Sequence, residues 1–418
     1  MKVFWILCVA ALCHPLFSEA PGKILIIYTE AGGGHKATAS ALEKELKNRY
    51  KEVEIHSINA HERIGGPMEN GRFRALETLY TKNLGSSTGR WANRLYGDYL
   101  IGPITRFLEF LGERQMRIQK QSHPLIQFLK EENPDLVIST ASFINRHFKN
   151  AIDYAELSTP FIVAISDFDE AERVMWTSAP HGTHYIVRNQ AKLLNPLDAK
   201  YIHSTSGVCI RPEFSPLEMK NYQVLEDLDL APDKPTALIC FGGYGSEEMV
   251  DLAHYFDRHP ENQAIFITGT NQNLANRLNK IAGSNCRVLG FVPDIHKYMQ
   301  ACHVLIGKPG PGTVTEAVHS HLPLYVKGGI DLMKQEEGVL EWVLQENFGA
   351  RWDTTEEFSQ NFSHILTQLA EFKKNIESTS RKNPTIEAVD HIVHIFEQSK
   401  QELAVKKTES KIAHYTFY

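Results

Sequence analysis

Twice in this chain an apolar run of strand length ends in a glycine cluster that leads straight into an amphipathic stretch. The first instance is Lys23-Ile24-Leu25-Ile26-Ile27-Tyr28, followed by Gly32-Gly33-Gly34-His35 and a helical pattern from Lys36 to about Tyr50. The second is Thr236-Ala237-Leu238-Ile239-Cys240-Phe241, which runs into Gly242-Gly243-Tyr244-Gly245-Ser246. A short continuous apolar run reads as a strand buried on both faces, and such strands belong to parallel sheets whose crossovers are helices. Glycine lets the connecting turn adopt φ > 0 and lets backbone approach a ligand. The recurrence predicts an α/β protein of two Rossmann-like domains.

Further buried strands are expected at 135–139, 161–166 and 185–187 in the first half, and at 264–268, 287–292, 303–306 and 322–326 in the second. A chain of 418 residues has room for two domains. The turn-rich Pro232-Asp233-Lys234-Pro235 marks the approach to the second cycle, and the domains meet near 207–235. The partition is an N-terminal segment 1–20, a first domain 21–212 with a helical insertion over 61–130, a second domain 213–400, and a polar tail 401–418.

Residues 63–117 break the α/β rhythm. They carry Phe73, Tyr80, Trp91, Tyr96, Tyr99, Phe107 and Phe110, with nine Arg or Lys against five Asp or Glu, a local +4 in a chain of net charge -6. Basic helices with exposed aromatics suit an anionic lipid surface, with Trp91 and Arg94 as contacts; the alternative is an insertion that packs its aromatics internally. An acidic chain is a poor candidate for a nucleic-acid binder, which needs a basic face. At the N-terminus, Val3 to Cys13 with Ser18-Glu19-Ala20 reads as a secretory signal, although Pro21 directly after the scissile bond opposes cleavage. The run is half of what spans a bilayer, so an uncleaved interfacial anchor is the other reading. The six cysteines form no CxxC pair and no metal-ligand spacing, which predicts packed thiols and no metal site.

The motif with most chemical content is Gly307-Lys308-Pro309-Gly310-Pro311-Gly312-Thr313-Val314-Thr315-Glu316-Ala317, placed after a buried strand and opening a helix. Free N–H groups at such a helix start can cradle a diphosphate. Glu316, about one turn in, reaches ribose hydroxyls. The loop at Gly242 and Gly243 is placed equivalently and can meet the same diphosphate from its other side. In the first domain, Gly33 and Gly34 precede His35, which opens the first helix at the carboxyl edge of the sheet, where open α/β folds bind ligands. Its imidazole can take a proton from an attacking hydroxyl; helix capping or substrate orientation is the competing role. Asp167 ends a strand on the same edge, either as a competing base or as the group that orients the imidazole.

At these residues the chain resembles the glycosyltransferase family that includes monogalactosyldiacylglycerol synthase, processive diacylglycerol glucosyltransferase and the lipid II-forming N-acetylglucosaminyltransferase. The resembling segments are Gly32 to His35, Gly207-Val208-Cys209-Ile210-Arg211-Pro212-Glu213-Phe214, Gly307 to Ala317, and the pair Gln335-Glu336. The resemblance spans most of residues 23 to 395. It implies a GT-B fold, two Rossmann-like domains facing across a cleft, with a UDP-hexose held mainly by the second domain. It also implies inversion at the anomeric carbon with no cofactor and no essential metal. Glu316 would bind the uridine ribose, Gln335 and Glu336 the sugar hydroxyls, and the backbone at Phe291 and Val292 the uracil. Lys308 and the helix amides would stabilise charge on departing UDP, and Trp176 would line the cleft. The implied acceptor is a lipid of the diacylglycerol type, reached by a peripheral protein on the cytoplasmic face of a membrane. Three departures bear on the acceptor more than on the donor: Glu30 where relatives have Asp, the extra Pro309, and Thr140-Ala141-Ser142 where relatives often have His-Pro. The competing readings are a UDP-sugar epimerase of the same fold and a catalytically silent membrane-binding protein.

Overall fold

The computed structural model describes residues 20–30, 33–63, 102–119, 122–142, 144–168, 176–177, 179, 182–188, 199–215, 222–329, 332–379 and 382–415. Two six-stranded parallel sheets organise it, each with helical crossovers. Sheet A contains β1 (Lys23–Tyr28), β2 (Glu54–Asn59), β3 (Leu136–Ser139), β4 (Phe161–Ala164), β5 (Thr183–Arg188) and β6 (Ile202–Thr205), in the order β2-β1-β3-β4-β5-β6. Its helices are α1 (Gly34–Arg49), α2 (Gly102–Gln119), α3 (Pro124–Glu132) and α4 (Asn145–Tyr154). Sheet B contains β7 (Thr236–Cys240), β8 (Gln263–Ile267), β9 (Cys286–Leu289), β10 (Val304–Gly307), β11 (Leu324–Lys327) and β12 (Gly349–Trp352), in the order β12-β11-β10-β7-β8-β9. Helices α5 (Gln223–Glu226), α6 (Glu248–Arg258), α7 (Gln272–Leu278), α8 (Ile295–Ala301), α9 (Pro311–His319), α10 (Lys334–Gln345) and α11 (Thr355–Ser378) accompany it, and α12 (Pro384–Tyr415) closes the chain.

The apolar runs form these strands because both of their faces are covered. Ile24, Leu25, Ile26 and Ile27 are fully buried. Ile24 and Ile26 pack with Ala39, Leu42 and Leu46 of α1, whereas Leu25 and Ile27 pack with Leu125 and Leu129 of α3 and Phe148 of α4. Each such side chain contributes about 1.5–3 kcal/mol on burial. Sheet B repeats the pattern, with Leu238 and Cys240 on one side and Ala237 and Ile239 on the other. Cys209, Cys240, Cys286 and Cys302 are buried cysteines outside any disulfide. Strands β2, β6 and β12 are absent from the sequence expectation. All three lie at sheet edges, where a polar alternating run such as Glu54-Ile55-His56-Ser57 replaces the continuous apolar one.

In each sheet the order reverses at one point, between β1 and β3 in A and between β7 and β10 in B. Loops leaving the carboxyl ends of adjacent strands diverge there and open a crevice. The registers place Ile27 beside Ser139 and Gly307 beside Cys240, so the two glycine loops of sheet B leave from neighbouring strand ends.

The last helix departs from the sequence partition. Residues 384–415 form one helix, which continues through the expected polar tail, and its Ala388, Val389, Ile392, Ile395 and Phe396 pack in the sheet A core with Ile24, Ile26 and Ile138. The first domain therefore takes its final helix from the end of the chain. The two crossings between domains lie side by side: Ile210 N donates to Thr385 Oγ1 at 2.8 Å, and Ser206 N donates to the Glu387 carboxylate at 2.6 Å. Among the described residues no helix is long and apolar enough to cross a membrane. The signal-like segment 1–20 contributes only Ala20 to the described residues, and most of the expected insertion, including Trp91 and Arg94, lies outside them.

Candidate functional site

At the switch point of sheet A, Gly33 caps α1 with φ 83°, a left-handed conformation that favours glycine. Among the described residues no side chain caps this helix, and its first turn carries no acid, so its leading N–H groups point outward. Among the described residues no atom lies within 4 Å of where a Gly34 Cβ would be. His35 follows in the first turn. Its Nδ1 lies 2.6 Å from the Thr140 carbonyl oxygen, and because a carbonyl only accepts, Nδ1 carries the hydrogen. In the neutral ring Nε2 then has the lone pair, the form a general base requires. Thr140 holds the histidine from both sides, since its Oγ1 donates to the His35 carbonyl at 2.9 Å while its own N–H is anchored on Ile27. The imidazole also packs on Trp176, with ring centroids 5.3 Å apart.

Two expectations are corrected here. Trp176 does not line the cleft: it is 0% exposed within the sheet A core. The orienting partner of the imidazole is the Thr140 carbonyl. Asp167 instead accepts a hydrogen bond from Trp176 Nε1 at 2.9 Å, bracing the ring on which His35 rests. Thr140 was visible in the sequence only as a departure from a family pattern, and its 105-residue separation from His35 leaves no local signal of the contact.

At the switch point of sheet B the two glycine loops converge. Gly242 and Gly245 have φ of 79° and 62°. Gly243 accepts from Thr270 N at 2.9 Å and rests on Gly269, where any Cβ would overlap its carbonyl. Helix α9 starts at Gly310 as N-cap and Pro311 as N1, again without a side-chain cap or first-turn acid among the described residues. Proline at N1 has no N–H to leave unsatisfied, and Gly312 and Thr313 follow it in the first turn. Among the described residues no atom lies within 4 Å of where a Gly312 Cβ would be, so a ligand can reach the backbone there.

Glu316 is half-buried on α9, and burial raises its carboxyl to about 7 against the opposing pull of the Arg211 guanidinium. Lys308, expected to face the diphosphate, has its Nζ 2.6 Å from Glu336 Oε1. Glu336 sits in the first turn of α10 and is buried. Gln335 precedes it on that turn, but its side chain lies outside the described residues. Phe291 is 71% exposed just beyond β9, while Val292 packs against the core. Arg211, not singled out for a role from sequence, donates from Nη1 to the Pro293 carbonyl at 2.6 Å and so ties the interdomain crossing to this loop.

The two domains are in contact. Phe168, next to Asp167, packs on Trp342 of α10 with centroids 5.4 Å apart, and the Arg188 guanidinium lies over both rings. A cavity of about 500 Å³ flanks this contact, lined by residues that include Ser206, His319, Trp342, Glu387 and His391. It contains none of the expected site residues, so the chemistry is assigned to the switch points and not to the cavity. The Asp-x-Asp spacing that often marks a metal clamp does occur in the sequence, at 167–169 and 227–229. Asp167 serves Trp176, and Asp229 bonds through its carbonyl to Arg287 at the amino end of β9, away from the glycine loops. Among the described residues no group of three or more His, Cys, Asp or Glu is arranged to hold a metal.

Residues 221–326, which contain both glycine loops of sheet B, match the glycosyltransferase family 28 C-terminal domain. This stretch is a glycosyltransferase family 28 domain. Around it, the chain is similar to a probable monogalactosyldiacylglycerol synthase 2 of Oryza sativa subsp. indica, at 24% identity over 81% of this chain and 75% of that protein. It is also similar to the processive diacylglycerol beta-glucosyltransferase of Staphylococcus carnosus, at 25% identity over 66% of this chain and 71% of that one. Among solved structures, MurG of Acinetobacter baumannii superposes with a TM-score of 0.56 at 15% identity, covering 90% of this chain and 100% of that one. The family 28 domain thus sits within a GT-B architecture.

Proposed function

We propose that this glycosyltransferase moves a hexose from a UDP-sugar to the hydroxyl of a diacylglycerol-type lipid, with inversion at the anomeric carbon. The observation that carries the reading is the pair of switch points: uncapped amides and glycine loops on sheet B, and on sheet A a histidine whose Nε2 is fixed as an acceptor. The names of the relatives support a lipid acceptor and a hexose donor. In this account Nε2 of His35 takes the proton of the acceptor hydroxyl, whose oxygen attacks the anomeric carbon from the face opposite UDP. The bond from that carbon to the diphosphate oxygen breaks, and the amides of Gly312 and Thr313 with the α9 dipole stabilise the charge that collects there. Glu316 binds the ribose and Glu336 the sugar. No cofactor is required.

Peripheral attachment to an anionic membrane, at its cytoplasmic face, is part of the same proposal. On α2, Phe110 and Ile118 are 60% and 72% exposed, and Arg114 and Arg117 are exposed between them. The spacing i, i+4, i+7, i+8 puts all four on one helix face, a mixture of apolar and basic groups suited to a lipid headgroup layer. The test is a thin-layer lipid assay with UDP-galactose, UDP-glucose and UDP-N-acetylglucosamine, each with diacylglycerol vesicles and with no lipid. A new glycolipid band from one of the hexoses is expected. Conversion of the nucleotide sugar without lipid would point to an epimerase, and no product with any donor would refute the activity.

A further inference from the structure

We infer that Lys308 is a positioning residue for sugar recognition: its ammonium holds the Glu336 carboxylate in place and does not serve as a ligand of the diphosphate. The inference deepens the donor-site reading above and rests on it. Nζ of Lys308 is 2.6 Å from Oε1 of Glu336, whose side chain is only 4% exposed. The other oxygen, Oε2, accepts from Met333 N at 3.4 Å, closing the first turn of α10. The lysine is therefore committed to α10 from a starting point on the opposite side of the site, at the end of β10.

The route of its stem is tight at Gly242 and leaves ordinary contact room at Gly310. A Cβ on Gly242 would lie 3.3 Å from Lys308 Cε, and one on Gly310 would lie 4.0 Å from the same atom. The stem passes close to the Gly242 loop before its ammonium reaches Glu336. A buried carboxylate needs a partner to offset its lost hydration, and removing one member of such a pair costs far more than removing both. With the cation on one oxygen and the Met333 amide on the other, the carboxylate has a single orientation, and its remaining lone pairs can accept from hydroxyls of one stereochemistry. A nucleotide without a sugar makes no use of that geometry. Lys308 should consequently affect which hexose is used and leave UDP binding alone, whereas a phosphate ligand would affect UDP and every UDP-sugar alike.

The experiment uses the full chain with Lys308→Met, Lys308→Arg, Glu336→Gln and the double variant Lys308→Met/Glu336→Gln. UDP affinity is measured by calorimetry, and kcat/KM is measured with UDP-galactose and UDP-glucose on diacylglycerol vesicles. Lys308→Met should leave the UDP Kd within about twofold while kcat/KM for the preferred hexose falls about tenfold or more, as loss of a charge-assisted contact implies. The ratio between the two hexoses should shrink, and the double variant should fall no further than Glu336→Gln, because the two residues act as one unit. Lys308→Arg keeps the charge with a different length and fork, so it should also bind UDP normally and alter the hexose ratio; it carries the same comparison if the Met variant does not fold. Weaker UDP binding in step with kcat/KM would overturn the inference, as would an equal loss for both hexoses or no loss for either. A wild-type chain that binds neither UDP nor UDP-hexose would instead overturn the donor-site reading and the inference with it.

Discussion

Glu316 offers the most quantitative test of the donor site. Burial raises its carboxyl from the ordinary 4.5 to about 7, in spite of Arg211 nearby. Ribose hydroxyls donate best to an ionised carboxylate, so donor binding must draw Glu316 into its charged form and release a proton wherever the free protein holds it neutral. At pH 6 only about a tenth of the free protein is ionised at a group of pKa 7, so affinity should be about tenfold weaker there than at pH 8. UDP-glucose is the ligand to use, because free UDP has a terminal phosphate that itself titrates at about 6. Calorimetry without acceptor, repeated in buffers of different ionisation enthalpy, counts the protons released. Glu316→Gln should bind about 1.5–3 kcal/mol more weakly at pH 8, with the pH dependence flattened. Stability runs in the opposite sense to affinity. A carboxyl whose folded-state pKa is raised contributes stability that is fully present below about 4.5 and is lost as pH rises to about 7, up to roughly 3 kcal/mol for this shift and less because the group is only half-buried. Glu316→Gln should remove that slope from the denaturation profile. A wild-type chain that binds UDP-glucose equally at pH 6 and pH 8 with no proton release would refute the assignment of Glu316 to the ribose.

The remaining expectations concern the acceptor side and the loops. His35→Ala should lower kcat by about 10²–10⁴-fold with UDP-glucose affinity unchanged, measured by steady-state kinetics and calorimetry, and near-normal turnover would move the base elsewhere. Gly269 has φ 59° and its Cβ would overlap the Gly243 carbonyl, so Gly269→Ala should destabilise by about 1–3 kcal/mol in urea denaturation and weaken donor binding by displacing the Gly242 loop. Replacing Phe110 and Ile118 by serine should reduce pelleting with anionic vesicles, and added salt should weaken the part of binding that depends on Arg114 and Arg117; unchanged pelleting would remove α2 from the membrane face.

The two sheets were legible in the sequence because their central strands are buried on both faces. Continuous runs such as Ile24 to Ile27 and Leu238 to Cys240 have no other stable environment, and the glycine clusters after them mark the strand ends at which the order later reverses. The glycine-rich motif from Gly307 to Ala317 was equally local, since glycine spacing and helix start lie within one stretch of chain. Edge strands β2, β6 and β12 were not legible, because none carries a continuous apolar run buried on both faces. Nor was the destination of α12. An apolar stripe says that a helix must be covered, and only the assembled sheet A shows that Ile392 and Phe396 cover it beside Ile24. The same limit applies to the site. Sequence named His35, Asp167, Trp176, Lys308 and Glu336 and offered Asp167 as a partner for the imidazole, but the actual pairing depends on contacts between segments far apart in the chain. Folding puts Thr140 on the imidazole, buries Trp176 beneath it and Asp167, and takes Lys308 past Gly242 to Glu336. Residue types and their spacing determined which groups are available for chemistry; the close packing of distant strand ends decided which of them touch, and so what each can do.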